Sequence, residues 1–168
     1  MAPVAPSPSQ TSGPLWGFAL LFQGSEQAVD PDAPGAIELR GRVIQGDGRP
    51  LAWPDALIEI WQGEQLARTR TDGEGRFAAV VAKPSAGVLP DGRALAPCLN
   101  LAVFSRGLLK QLVTRIYFPD EEDANAADPV LELVPRARRD ALVARPEGDA
   151  LRFDIVLQGD GETPFFQF

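Results

Sequence analysis

Among its 168 residues the chain carries no histidine, one cysteine (Cys98) and one tyrosine (Tyr117). That inventory narrows the chemistry open to it. Without imidazole there is no Ser-His-Asp or Cys-His nucleophile, and no metal centre that needs a ring nitrogen. One thiol cannot build a thiolate zinc site, and one thiol makes no internal disulfide, which suits a reducing compartment. Cys98 reads as a small buried hydrophobe. Tyr117 sits at an alternating position of an apolar run, where packing is commoner than phenolate ligation. Asp72-Gly73-Glu74-Gly75 loosely suggests a calcium loop, but the further oxygen donors and closing glutamate of such a loop do not follow. The glycines there precede a strand-like run rather than a helix, so they do not cradle phosphate. Glu121 and Glu122 lie in a polar run and read as solvated. The formal charge of −7 opposes a nucleic-acid partner, and the basic cluster Arg136 to Arg139 is short and bordered by acids. On residue chemistry alone, the chain has no self-contained active site.

The elements that would position these groups are strands. Leu39, Gly41 and Val43 alternate with Arg40, Arg42 and Ile44 before a Gly46-Asp47-Gly48 turn. Ala56 to Trp61, Ala67 to Thr71 and Arg76 to Ala82 follow, the last two separated by Asp-Gly, a hairpin turn signal. Asn100 to Phe104, Leu112 to Phe118, Leu142 to Arg145 and Leu151 to Leu157 continue the series. In the last, Leu151, Phe153, Ile155 and Leu157 share one face. Period-two alternation of this kind predicts half-buried antiparallel strands, and their close spacing predicts a β-sandwich. Only Glu121 to Arg139 suggests helix, as a peripheral turn or two. Residues 1–35 form an N-terminal arm, proline-rich at first and then apolar, and residues 36–168 the sandwich. The apolar run Leu15 to Phe22 has no preceding Lys or Arg and is too short to span a bilayer. It reads as a segment buried against protein, and the chain as soluble and cytoplasmic.

Several stretches together resemble the intradiol ring-cleaving dioxygenases. Leu39-Arg40-Gly41-Arg42-Val43 leads through a turn to Ile58-Glu59-Ile60-Trp61-Gln62, the family's strand, turn and E-x-W-Q pattern. Arg68-Thr69-Arg70-Thr71-Asp72 with Gly75 and Phe77 matches the next hairpin. These central hairpins are shared with transthyretin-like modules. More specific are Ser9-Gln10-Thr11-Ser12-Gly13-Pro14, Phe104-Ser105-Arg106-Gly107, Thr114-Arg115-Ile116-Tyr117-Phe118 and the C-terminal run Gly161 to Phe168. These are similar to the iron-free α-subunits of the heteromeric enzymes that act on protocatechuate.

What the resemblance implies is definite. The fold is an all-β, antiparallel, prealbumin-like sandwich of the intradiol type with an extended arm. The family's catalytic subunit holds Fe(III) with two tyrosines and a His-x-His pair, since hard phenolate oxygens suit ferric iron. In this chain Ala96 to Leu101 falls on the His-x-His strand, so Cys98 and Asn100 stand where imidazoles would be, as vestigial, non-ligating positions. The segment between Gln62 and Thr71, where tyrosine ligands would fall, is short. Iron is therefore expected in a homologous β-subunit, within an αβ oligomer that cleaves protocatechuate with O2 to 3-carboxy-cis,cis-muconate. Thr11, Gly13 and Pro14, with Leu15 where related subunits usually carry a tyrosine, are expected to line the partner's pocket. Arg106 is expected to offer a permanent cation to the substrate carboxylate, its plain alternative being a surface salt bridge. The competing reading of the whole chain is a non-catalytic, prealbumin-like binding or scaffold domain.

Overall fold

Most of the expected strands form where apolar and polar residues alternate, and the turns lie where glycine and aspartate let the chain reverse. The computed structural model describes residues 19–167. β1 (Ala36–Ile44) pairs antiparallel with β4 (Arg76–Ala82) through seven residues, from Ala36 opposite Ala82 to Arg42 opposite Arg76. On its other edge β1 meets β10 (Ala150–Arg152) and β11 (Ile155–Val156), and β10 pairs with β9 (Arg145–Glu147). The second sheet has the order β3-β2-β7-β8, from β2 (Ala56–Gln62), β3 (Gln65–Arg70), β7 (Cys98–Ser105) and β8 (Leu112–Tyr117). A small hairpin of β5 (Gly87–Val88) and β6 (Ala94–Leu95) leads into it. The inner faces meet through Leu39, Val43, Phe77 and Val81 on one side and Ile58, Ile60, Leu101, Val103 and Ile116 on the other, all nearly excluded from solvent.

Turn chemistry agrees with the sequence. Asp72 Oδ1 accepts the backbone N–H groups of Glu74 and Arg76 at 2.8 and 2.9 Å, and its Oδ2 faces Arg76 Nε at 2.9 Å. The backbone N–H of Arg76 does most to hold this carboxyl down, to a pKa of about 2. The loop is a turn locked by its own aspartate, as read from the sequence.

Two expectations need correction. The run Leu151 to Leu157 is two strands, both parallel to β1 rather than antiparallel. Period-two alternation reports which face a residue occupies and is silent on the direction of the neighbouring strand. The break falls at Phe153 and Asp154, where Asp154 Oδ1 accepts the Arg42 N–H at 3.0 Å in place of a ladder carbonyl. Leu142 to Arg145 is not one strand either: Leu142 closes the 3-10 helix Arg136–Leu142, and regular pairing begins only at Arg145. The described part of the apolar N-terminal run lies open on this chain, with Leu20 38% and Phe22 69% exposed. Among the described residues no helix is long and apolar enough to cross a membrane.

Gly41 makes the strand break possible. A Cβ at this position would lie 1.9 Å from the Phe153 carbonyl oxygen and 2.6 Å from the Phe77 ring. The backbone of the β10–β11 junction can approach β1 this closely only where no side chain stands. Gly41→Ala is therefore expected to destabilise the sandwich by at least about 2–3 kcal/mol, as overpacking against fixed backbone does. Urea unfolding would show a lower midpoint at an unchanged slope.

Candidate functional site

β7 ends at Ser105, and Gly107, with φ of +94°, turns the chain immediately after Arg106. The backbone of Arg106 is held by its N–H donating to the Asp55 carbonyl at 3.2 Å, while its Nη2 donates to Asp55 Oδ2 at 3.1 Å. The side chain is 63% exposed. An ion pair so exposed contributes about 0–1 kcal/mol, so the guanidinium can leave Asp55 for a stronger acceptor at small cost. The structure thus shows Arg106 in a surface salt bridge to Asp55, the plain alternative among its two sequence readings. Thr11, Gly13, Pro14 and Leu15 lie outside the described residues.

Cys98 and Asn100 stand two residues apart on the outer face of the second sheet. Cys98 is buried, and burial pushes its thiol pKa up. Asn100 Nδ2 donates to Gln62 Oε1 at 2.8 Å, so the amide is already engaged across the sheet. Tyr117 lies directly opposite Cys98, fully buried, and its hydroxyl donates to Asp128 Oδ1 at 3.0 Å. Burial, reinforced by the Asp128 charge, pushes the phenol pKa well up. The β2–β3 connection is tight: Gln62 pairs with Gln65, leaving only Gly63 and Glu64 between them. These residues do not fit a ferric ion. The one phenol is kept protonated as a hydrogen-bond donor, the amide offers a weak oxygen, and no imidazole exists in the chain. Among the described residues no group of three His, Cys, Asp or Glu side chains could hold a metal.

Among the described residues, Arg106 does not share a pocket with Cys98 and Asn100. Arg106 follows the last residue of β7, while Cys98 is its first. At about 3.3 Å per residue, Arg106 lies roughly 20 Å along the strand from Asn100. Whatever Arg106 does, it does at the other end of the sheet.

Two further residues escaped the sequence reading of chemistry. Asp128 is fully buried and links three elements. Its Oδ1 accepts from Tyr117 Oη and from the backbone N–H groups of Val130 (2.9 Å) and Leu131 (2.7 Å), and its Oδ2 accepts from the Ala96 N–H at 2.9 Å. The helical stretch from Glu121, expected at the periphery, is therefore pinned to the core, with Leu131, Val134 and Leu142 buried in it. The signal was Asp128-Pro129, an aspartate placed to cap the turn that follows. Arg115, opposite Asn100 in the sheet, carries buried Nε and Nη1 groups without an acceptor.

No family model matches the chain. It is 37% identical to the protocatechuate 3,4-dioxygenase alpha chain of Pseudomonas putida over 96% of each chain, and 34% identical to that of Burkholderia cepacia over 99% of each. The chain belongs to the protocatechuate 3,4-dioxygenase alpha-chain family. This places it among the intradiol ring-cleaving dioxygenases, as part of a heteromeric enzyme. The beta chain from Burkholderia cepacia is 32% identical over 76% of this chain and 66% of its own, so alpha and beta chains are themselves related. The dioxygenase domain from Streptomyces sp. SirexAA-E superposes with a TM-score of 0.57 at 22% identity, covering 92% of this chain and 99% of that one. That likeness concerns fold, and it confirms the sandwich of the intradiol type.

Proposed function

We propose that this chain is the iron-free subunit of a heteromeric protocatechuate 3,4-dioxygenase, shaping a catalytic pocket whose Fe(III) is held by a homologous β-subunit. The observation that carries this reading is the donor set around Cys98, Asn100 and Tyr117, which offers a ferric ion neither imidazole nor phenolate. The β-subunit's iron would supply the activation of substrate and O2, and protocatechuate would be opened there to 3-carboxy-cis,cis-muconate. This chain's part is binding and orientation. Arg106, exposed and only loosely tied to Asp55, presents a cation to the substrate carboxylate. Thr11, Gly13, Pro14 and Leu15 complete the pocket wall, with Leu15 adding apolar surface in place of a hydroxyl. The exposed Leu20 and Phe22, close together in one apolar run, support a partner-facing role for residues 1–35, since grouped exposed apolar side chains mark interaction surfaces. The C-terminal Phe166, by contrast, needs no partner: its N–H donates to the Val113 carbonyl at 2.8 Å, and its ring packs on this chain's own core.

Expression of the chain alone, and together with an iron-bearing β-chain, tests the proposal. Alone it should be colourless and inactive. Co-expressed, it should co-purify with a coloured, active complex in which iron equals the number of β-chains. Stoichiometric iron in the isolated chain, or an active β-chain indifferent to its presence, contradicts the reading.

A further inference from the structure

Arg106 is not a free side chain on a loop. Ala56 pairs with Ser105 where β2 opens and β7 ends, so Asp55 and Arg106 form the next rung of that ladder. The rung is closed twice: the Arg106 N–H donates to the Asp55 carbonyl at 3.2 Å, and Arg106 Nη2 donates to Asp55 Oδ2 at 3.1 Å. Asp55 is in turn fixed to the corner that precedes β2. Its N–H donates to the Ala52 carbonyl at 2.9 Å, the Trp53 N–H donates to the Asp72 carbonyl at 3.2 Å, and Arg70 lies over the Trp53 ring at 4.7 Å.

Stability does not explain the Asp55 carboxylate. Its Oδ1 is buried with no hydrogen-bond partner, which is unfavourable. Its ion pair is with an arginine 63% exposed, and such a pair returns little. What the contact achieves is geometric. A guanidinium carries five N–H donors in a fixed fork, with two edges that each fit a carboxylate. Asp55 Oδ2 takes a single nitrogen, Nη2, so one two-pronged edge stays open. Meanwhile the tether holds a long side chain that would otherwise range over many rotamers.

We propose that Asp55 is a positioning residue, which holds the Arg106 guanidinium in one orientation with an edge open to an incoming carboxylate. The inference rests on the reading of Arg106 as the cation for the substrate carboxylate, and it adds the residue that presets that cation. Arg106 then grips its ligand without leaving Asp55, and the ordering of its side chain is complete before the ligand arrives.

Variants in the complex with the β-subunit test this. Asp55→Ala removes the tether and is expected to raise KM for protocatechuate about three- to fivefold, the factor an exposed ion pair can set, with kcat unchanged. Asp55→Asn keeps an acceptor oxygen and should restore most of that loss. Catechol, which has no carboxylate, should show no such rise, and on an Arg106→Ala background Asp55→Ala should add nothing. In the ¹⁵N-labelled full-length chain, free or in the complex, the order parameter of the Arg106 Nε–H should fall in Asp55→Ala and recover in Asp55→Asn. A KM unmoved by Asp55→Ala, an equal rise for catechol, or a loss in Asp55→Asn as large as in Asp55→Ala would overturn the assignment. The two readings fail separately. If Arg106→Ala weakens use of protocatechuate and Asp55→Ala does not, only the positioning role is lost; if Arg106→Ala has no effect, both fall.

Discussion

Replacing Asp128 by alanine is expected to lower stability by about 3–5 kcal/mol, the range for breaking a buried charged network by removing one partner. The carboxylate is wholly enclosed and accepts four hydrogen bonds, from Ala96, Tyr117, Val130 and Leu131. Its loss strands three backbone donors and a phenol in a region closed to solvent. At about 2–4 °C per kcal/mol for a chain of this size, the melting temperature should fall by roughly 6–20 °C. Tyr117→Phe removes one of those bonds and should cost only about 1–2 kcal/mol. Thermal and urea unfolding of the two variants against wild type checks both values. Equal effects would mean that Asp128 serves Tyr117 alone and does not pin the β6–β7 corner to the helical stretch.

Arg106→Ala in the reconstituted complex is expected to weaken use of carboxylated catechols by about 2–5 kcal/mol in transition-state binding. At about 1.4 kcal/mol per factor of ten, that is a drop in kcat/KM of roughly thirtyfold to several thousandfold. Most of it should fall on KM, because the cation grips a carboxylate remote from the bonds that break. Catechol itself, lacking the carboxylate, should be handled almost as before. Stability should change little, since the Asp55 pair is exposed on the Arg106 side. Unaltered kinetics on protocatechuate would remove Arg106 from the pocket and leave it the surface ion pair to Asp55.

Much of the sandwich was legible because its strands obey a short-range rule. The β1 and β4 patterns and the Asp72 turn each follow from a few adjacent residues, and each was located to within a residue or two. The β5–β6 hairpin was not read, because two-residue strands leave no period to detect. The split at Phe153 was hidden for another reason: it depends on Gly41, more than a hundred residues earlier, where the lack of a side chain admits the Phe153 carbonyl. Leu142 to Arg145 misled because apolar residues closing a 3-10 helix and apolar residues opening a strand look alike over four positions.

The candidate site divides in the same way. The absence of histidine and the presence of one tyrosine were enough, from the sequence, to deny this chain the donors of a ferric centre, because ligand chemistry depends on residue type before it depends on position. Order along the chain likewise marked Arg106 as a cation beside a turn. Only the tertiary structure decided that the Tyr117 hydroxyl donates a hydrogen bond to Asp128, that Asn100 is tied to Gln62, and that Arg115 Nε and Nη1 are buried without an acceptor. Those are outcomes of strand register and of burial, which bring together residues far apart in the chain and set the cost of leaving a charge unanswered.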